Sequence, residues 1–408
     1  MIQNFNKLKT KKFLILAAIA MVSLAACTKL EDTAPPRKIT FDKATYRPQT
    51  KAEVSVMSEF TSFRCKAFLY ASNGENSLFP VQYMFGDYET ISPYLSNDAL
   101  WTAPQEGQTA SSVAYWAPSH DYFWPKGASS YINFIAWHDN GDVDPSTINE
   151  TSLIWSNYTV DSLDNLLFAN EAWRYNGNPN SIYRKDGESE SYTAVPMLFN
   201  HALAQICIKA QVSQTAKTNV TGGSSLGHTT WDVTLSNISL TGVYNTGTLS
   251  LINSDPNSAT TREWTWTGAD TGSLPWTTSG NTTTITMYDV TTALPSATDP
   301  NTDPVELLAM RSVLPQAVTN DMVLTFDFNI VTKFGTVGNE VEYAHENVHT
   351  SIKLSDFVST IANWEMNKRI TYTVTINPET TTIKIDPAMV DWLTDSAVYP
   401  NPNQNNGN

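Results

Sequence analysis

The stretch Val195–Val212, VPMLFNHALAQICIKAQV, lies near the middle of the chain and decides the fold class. Its second half alternates, with Ile206, Ile208, Ala210 and Val212 on one face and Gln205, Cys207, Lys209 and Gln211 on the other. A side-chain period of two over this length predicts a half-buried antiparallel strand with Cys207 on the polar face. The first half is an apolar run around His201, whose neighbours mark it as a core or junction histidine rather than a ligand.

Working outward, similar segments separated by Gly, Pro, Asn and Asp clusters fill the chain. Before the centre they are Ala52 to Met57, Arg64 to Ala71, Val81 to Phe85, Val113 to Trp116, Tyr131 to Trp137 and Asp164 to Ala172. After it come Trp231 to Leu240, Thr248 to Ile252, Arg262 to Thr267, Thr282 to Tyr288, Glu306 to Val313 and Met322 to Thr332. Val341 to Leu354, Ile370 to Ile376 and Thr381 to Ile385 close the series. A modest helix is expected in Ser355 to Trp364. The prediction is an all-β chain of two sandwiches, and 408 residues are enough for two domains. Charged residues are only 16%, which suits exposed strand faces better than surface helices.

The first 26 residues hold Lys7, Lys9, Lys11 and Lys12 and no acid, so removing them takes the formal charge from −15 to −19. A chain this acidic repels nucleic acid and anionic headgroups, and no nucleic-acid partner is expected. The basic start, the apolar run Phe13 to Val22 and Leu24-Ala25-Ala26-Cys27 make a signal peptide over 1–26, too short to be a permanent membrane span. Leu-Ala-Ala-Cys is also a lipobox, which predicts acylation of Cys27 and stable anchoring by several acyl chains. Thr33 to Lys38 reads as a tether. Cys65 shares a face with Phe63, Ala67 and Leu69 and is expected to be a buried thiol, with no disulfide to Cys207.

Motifs that mimic active sites do not survive their context. His345-Glu346-Asn347-Val348-His349 spells a zinc-protease pattern, which requires a helix to bring both imidazoles to one ion. Here Val341, Tyr343, Val348, Thr350 and Ile352 predict extended chain, which puts the two histidines about 13 Å apart. Gly223-Ser224-Ser225-Leu226-Gly227 lacks the strand before and helix after that a nucleophile elbow needs. Asp139 to Asp144 places Gly141 and Val143 where a calcium loop needs oxygen ligands. No catalytic residue, metal or cofactor is predicted.

A series of segments does carry a resemblance. YWAP (115–118), YFWP (122–125), INFIAW (132–137), DNLLFA (164–169) and FNHALA (199–204) follow one another. NWEMNK (363–368), then ITYTVTI (370–376), Ile383-Lys384-Ile385 and Val390-Asp391-Trp392 complete it. In this order they resemble the Bacteroidales fimbrillin lipoproteins of the Mfa-like, major-fimbrial-subunit type. Read from the residues alone, these aromatics are core. The alternative is an aromatic sugar-binding surface on Trp264, Trp266 or Trp276 in a Gly- and Thr-rich region.

The resemblance implies two transthyretin-like β-sandwich domains in tandem, over 51–198 and 199–399, after a lipidated tether and pro-segment at 27–50 and before a disordered tail at 400–408. It implies a structural or adhesive subunit of cell-surface fimbriae, exported through the periplasm as an outer-membrane lipoprotein. A trypsin-like maturation protease would cut near Arg47 or Lys51 and remove the first strand. Another fimbrial subunit would then add a donor strand, drawn from the region of Ile383, Ile385, Val390 and Trp392. Lys51 stands where the family pattern has Arg. Shaft, anchor and tip roles all remain open. The competing reading is a non-polymerising surface lipoprotein that binds glycan or host protein through exposed aromatics.

Overall fold

In the computed structural model, the described residues are 37–46, 62–70, 82–95, 114–125, 130–139, 143–161, 163–174, 182–184, 191–192, 194–213, 216–218, 228–253, 266–267, 274–278, 282–286, 292–294, 303–336 and 339–392. Over these the chain is all-β, as its alternating segments predict. The longer strands of the first half are β1 (Phe41–Tyr46), β2 (Phe63–Tyr70), β3 (Glu89–Leu95), β4 (Ala114–Pro118), β5 (Tyr131–His138), β6 (Ser152–Thr159), β7 (Leu167–Arg174) and β8 (Val195–His201). Those of the second half are β9 (Ala204–Val212), β10 (His228–Tyr244), β11 (Thr246–Asn253), β12 (Val305–Val313), β13 (Val323–Thr336), β14 (Asn339–Lys353), β15 (Lys368–Asn377) and β16 (Thr382–Asp391).

In the first half the strand order runs β7–β8–β1–β4–β3–β2, and β5 pairs with both β2 and β7, so the sheet closes on itself. Closure removes free edges along the ring. Its interior is aromatic: Phe41, Phe63, Phe85, Trp116, Trp124, Phe134 and Phe199 are buried in one cluster with Cys65. Trp116 of YWAP, Trp124 of YFWP and the INFIAW segment are therefore core, whereas Phe123 is exposed. Within β5 successive side chains serve two cores, with Ile132, Phe134 and Ala136 inside the ring and Tyr131, Ile135 and Trp137 outside it.

In the second half two sheets enclose a second core. One has the order β12–β9–β15–β16, with β9 parallel to β15 from Gln205↔Arg369 to Val212↔Ile376. The other contains β10, β13 and β14 in that order, each antiparallel to the next. Ile206, Ile208 and Ala210 of β9 and Ile370, Tyr372, Val374 and Ile376 of β15 meet Val233, Leu235, Phe326 and Phe328 from the facing sheet.

A third cluster joins the halves. Strand β6 pairs with β11, aligning Leu153 with Leu251 and Trp155 with Leu249. These pack with Trp137, Phe168, Leu203 and Trp392. A chain cut between 198 and 199 would thus separate two strands of one sheet.

Three expectations need correction. Ser355 to Trp364 is not a helix: only Leu354–Phe357 makes a single 3₁₀ turn. Ile361 and Trp364 are buried while Val358 is exposed, so the chain descends into the core instead of presenting one helical face. Cys207 is not on a solvated face, because β9 is covered on both sides at its start and Gln205 and Cys207 are buried. Trp276 is not a surface platform; it is buried, donates its indole N–H to the Ala202 carbonyl at 2.8 Å, and lies edge-on to Tyr158. Cys65 and Cys207 are both free and buried.

Candidate functional site

Strand β1 was not visible as a strand in the sequence, where FDKATY carries a single large apolar residue before its final tyrosine. It forms because both neighbours offer it backbone partners. The Ile39 N–H donates to the Tyr122 carbonyl at 2.7 Å, the Trp124 N–H to the Arg37 carbonyl at 2.9 Å, and the Val195 N–H to the Thr40 carbonyl at 2.9 Å. Lys38 pairs with Asp121 at 2.8 Å. Parallel pairing with β8 runs from Phe41↔Val195 to Tyr46↔Phe199, whereas pairing with β4 is limited to Phe41↔Trp116. Among the described residues, the last part of the strand is paired only with β8.

Its first residue, Phe41, and Ile39 just before it enter the ring. Ile39 and Phe41 are buried in the aromatic core, and the Phe41 ring meets Phe134 at 5.2 Å and Phe63 at 5.7 Å, both edge-on. Burying two such side chains contributes about 1.5–3 kcal/mol each. The remaining walls of the cluster come from other segments, so the socket does not depend on β1 for its rings.

The rim of that socket is braced by Glu89, which is buried between three donors. Ser119 donates its hydroxyl at 2.6 Å, Tyr122 at 2.8 Å, and the His120 Nδ1 lies at 2.9 Å. Burial opposes ionisation of Glu89, yet the bonds from Ser119, Tyr122 and His120 hold its carboxyl below the usual range. Burial and the bond to Glu89 push the Tyr122 phenol up to about 12. This network fixes the backbone at Tyr122 and Trp124 that β1 uses.

The FNHALA stretch is fixed from several directions. His201 is buried, with Nδ1 at 2.8 Å from the Asn165 amide oxygen and its ring stacked on Trp392. The Ala202 N–H donates to the Leu166 carbonyl at 2.8 Å, and the Asn367 N–H to the Leu203 carbonyl at 3.0 Å. The Trp392 N–H in turn donates to the Asn367 carbonyl at 2.9 Å. Ser312 donates to the Asp164 carbonyl at 2.6 Å, and Arg369 Nε to Gln205 at 2.9 Å. DNLLFA, FNHALA, NWEMNK and the final tryptophan, scattered in sequence, meet here.

Of the residues singled out in the sequence, Cys27, Arg47 and Lys51 lie outside the described residues, as do the Gly223–Gly227 motif and Trp264. Ile383, Ile385 and Val390 are on β16, which pairs with β15 from Lys368↔Asp391 to Asn377↔Thr382. Ile385 is buried, Ile383 half-buried and Val390 exposed. Among the described residues β16 has no partner on its other edge. The groove of β1 and the donor region are in different sheets of the one chain.

His345 to His349 lies on β14, in an extended strand that places the two histidines apart. His349 Nδ1 is 2.6 Å from Asp327, its cross-strand partner, and Asn237 donates to the same carboxylate. These bonds, from Asn237 and then His349, hold Asp327 below the usual carboxylate range. No group of three metal-ligating side chains occurs among the described residues. In the 139–144 region, Asp139 accepts the Tyr158 hydroxyl at 2.8 Å, while Asp144 pairs with Arg64 and accepts from Tyr88 at 3.0 Å and from Trp137 Nε1 at 3.1 Å. A polar cleft of about 250 Å³ beside them is lined by Arg64, Thr90, Trp137 and His138, and its one cation is already neutralised by Asp144.

No family profile matches the sequence, and no curated protein matches it. Among solved structures the chain is similar to a fimbrial protein from Bacteroides vulgatus, at 14% identity and TM-score 0.49, over 87% of this chain and 99% of the other. It is also similar to a proposed cell adhesion protein from Bacteroides uniformis, at 13% identity and TM-score 0.35, over 88% and 99% of the two chains. A proposed cell adhesion protein from Bacteroides ovatus aligns at 11% identity and TM-score 0.37, over 88% and 99%.

Proposed function

We propose that this chain is a structural or adhesive subunit of cell-surface fimbriae, of the Mfa-like fimbrillin type, with no catalytic role. On this reading it is exported as a lipoprotein on Cys27 to the outer membrane, and its two halves are transthyretin-like sandwiches in tandem. A trypsin-like protease cuts near Arg47 or Lys51. Strand β1 leaves, and a donor strand from another subunit, carried on its Ile383-to-Trp392 region, takes its place. The physical basis is strand addition, in which the donor supplies backbone bonds to the exposed edge and alternate side chains to the empty core positions.

The observation that carries this reading is the way β1 is held. It ends at Tyr46, immediately before Arg47, and its first residue Phe41, with Ile39 two positions earlier, is buried in a core whose other walls come from other segments. Intact mass and N-terminal sequence of protein sheared from the cell surface test it. A start between Arg47 and Arg64 without acyl mass supports strand removal; an acylated Cys27 start contradicts it. A second reading, a non-polymerising surface lipoprotein that binds host protein or glycan, is supported by the exposure of Phe334, Val341 and Tyr343 on one hairpin.

A further inference from the structure

The lead-in to β1 is gripped by a stretch that has just left the sheet. Pairing of β3 with β4 stops at Ile91↔Pro118, and the chain then bends away through Ser119 and His120. From there it runs antiparallel to residues 37–39. Lys38 bridges Phe123, the Ile39 N–H donates to the Tyr122 carbonyl, and the Trp124 N–H donates to the Arg37 carbonyl. The Tyr122 and Trp124 rings pack on Phe85 and Phe134, at 4.5 and 5.9 Å. The polar tie from residues 119–122 back to the sheet is the Glu89 carboxylate.

Glu89 is placed by the sheet and not by the loop it holds. It is the first residue of β3, and its backbone pairs with that of Cys65 in the ring wall. Its carboxylate takes the Ser119, Tyr122 and His120 contacts while only 8% exposed. Bonds to a charged acceptor are stronger than neutral ones, and buried donors are costly to leave unmade. The far end of β1 is held differently: among the described residues, 44–46 pair only with β8. A cut after Tyr46 therefore frees the one-sided end first and leaves Arg37 to Phe41 in the clasp.

We propose that Glu89 is the latch of β1: a chain cut after Tyr46 keeps its N-terminal piece, which leaves only when residues 119–122 let go of Glu89. The inference rests on the reading that β1 is cut away, and deepens it by separating the cut from the release. The socket stays filled between the two events.

Hydrogen exchange read by mass spectrometry tests the latch in the full, uncut chain. Glu89→Ala should speed exchange in the peptide covering 37–46 by about tenfold or more, the scale of one charge-assisted bond lost. Peptides of β9 and β15 should not change, whereas a general loss of stability would move them too. Tyr122→Phe keeps its ring on Phe85, removes one bond, and should give a smaller rise in the same peptide; it decides the matter if the alanine variant does not fold. Asp121→Asn, which removes only a surface ion pair, should do less than Glu89→Ala.

Release is read in the full chain carrying a specific protease sequence in place of residues 48–51. After cutting, the N-terminal piece should stay with the body through gel filtration in the parent and leave about tenfold faster in Glu89→Ala. Unchanged exchange in both Glu89→Ala and Tyr122→Phe would overturn the latch. So would an Asp121→Asn effect equal to that of Glu89→Ala, or loss of the piece from the cut parent as fast as from the variant. Neither experiment reads polymerisation, so these failures leave the processing reading standing. An acylated Cys27 start on surface protein would sink the processing reading and leave the exchange result in place.

Discussion

The imidazole of His201 lies flat on the indole of Trp392, with ring centroids 3.7 Å apart and planes within 3°. The contact joins the end of β8 to the residue that follows β16, and Trp392 also packs with Trp137, Phe168 and Leu203. Replacing Trp392 with Ala opens a cavity where three parts of the chain meet and is expected to cost about 3–5 kcal/mol. Trp392→Phe keeps a ring on His201 and should lose clearly less. Urea unfolding midpoints of the two variants against the parent make the comparison.

His201 also sets an acid limit on stability. Burial, reinforced by the charge of Arg369, lowers its pKa well below the ordinary 6.5. The folded state therefore keeps the ring neutral where the unfolded chain has protonated it, and stability falls as pH drops below about 6.5. The slope from this one group is at most about 1.4 kcal/mol per pH unit. His201→Asn should flatten that part of the stability curve, read as urea midpoints between pH 7 and pH 5. Parallel parent and variant curves would remove His201 as the cause.

Phe41 is expected to matter more than its place in a short, polar strand suggests. Phe41→Ala should destabilise by about 3–5 kcal/mol, as for other buried phenylalanines. Phe41→Ser with Ile39→Ser should leave the socket open, giving protein that binds a hydrophobic dye and self-associates in light scattering. If the double variant stays monomeric and dye-free, the socket closes without its plug and the strand-exchange reading loses its basis.

The all-β class was legible because alternation survives in segments such as Ile206-to-Val212 and Ile370-to-Ile376, where one face meets a facing sheet. It failed at Cys207 because a period of two reports which side chains differ, not whether the polar set is later covered by a packed neighbour. Strand β1 was illegible since its stability resides in partners at Tyr122, Trp124 and Val195 and not in its own composition. Pairing of β6 with β11 joins residues roughly a hundred positions apart, and nothing local encodes it. His201 was placed correctly at a junction by its apolar neighbours, but its partner Trp392 could be matched to it only through the closed fold.

The zinc-like pattern offers a direct check on strand geometry. With His345 and His349 on one extended strand, the purified chain is expected to retain no stoichiometric zinc after dialysis, and His345→Ala to leave metal content and melting temperature unchanged. Metal analysis by mass spectrometry reads the first and calorimetry the second. Zinc bound in the parent and lost in the variant would require β14 to adopt another structure.

Asp164 should act in the opposite sense to His201. The Tyr158 hydroxyl sits between Asp139, at 2.8 Å, and Asp164, at 3.0 Å, and has one proton for two carboxylates. Burial raises the Asp164 pKa, and the bonds from the Asp161 N–H and Tyr158 only partly offset it. A carboxyl whose folded pKa lies above its unfolded value of about 3.8 is stabilising while protonated, and that contribution is lost as pH rises through the folded value. Asp164→Asn supplies a permanently neutral acceptor for both donors. Relative to the parent, the variant should therefore gain more in urea midpoint at pH 7 than at pH 3.5. Tyr158→Phe, which takes away the only proton between the two acids, should lose stability at pH 7 and recover part of it as the pH falls. A uniform loss in Asp164→Asn at both pH values would show that the carboxylate is held by its hydrogen bonds and not strained by burial.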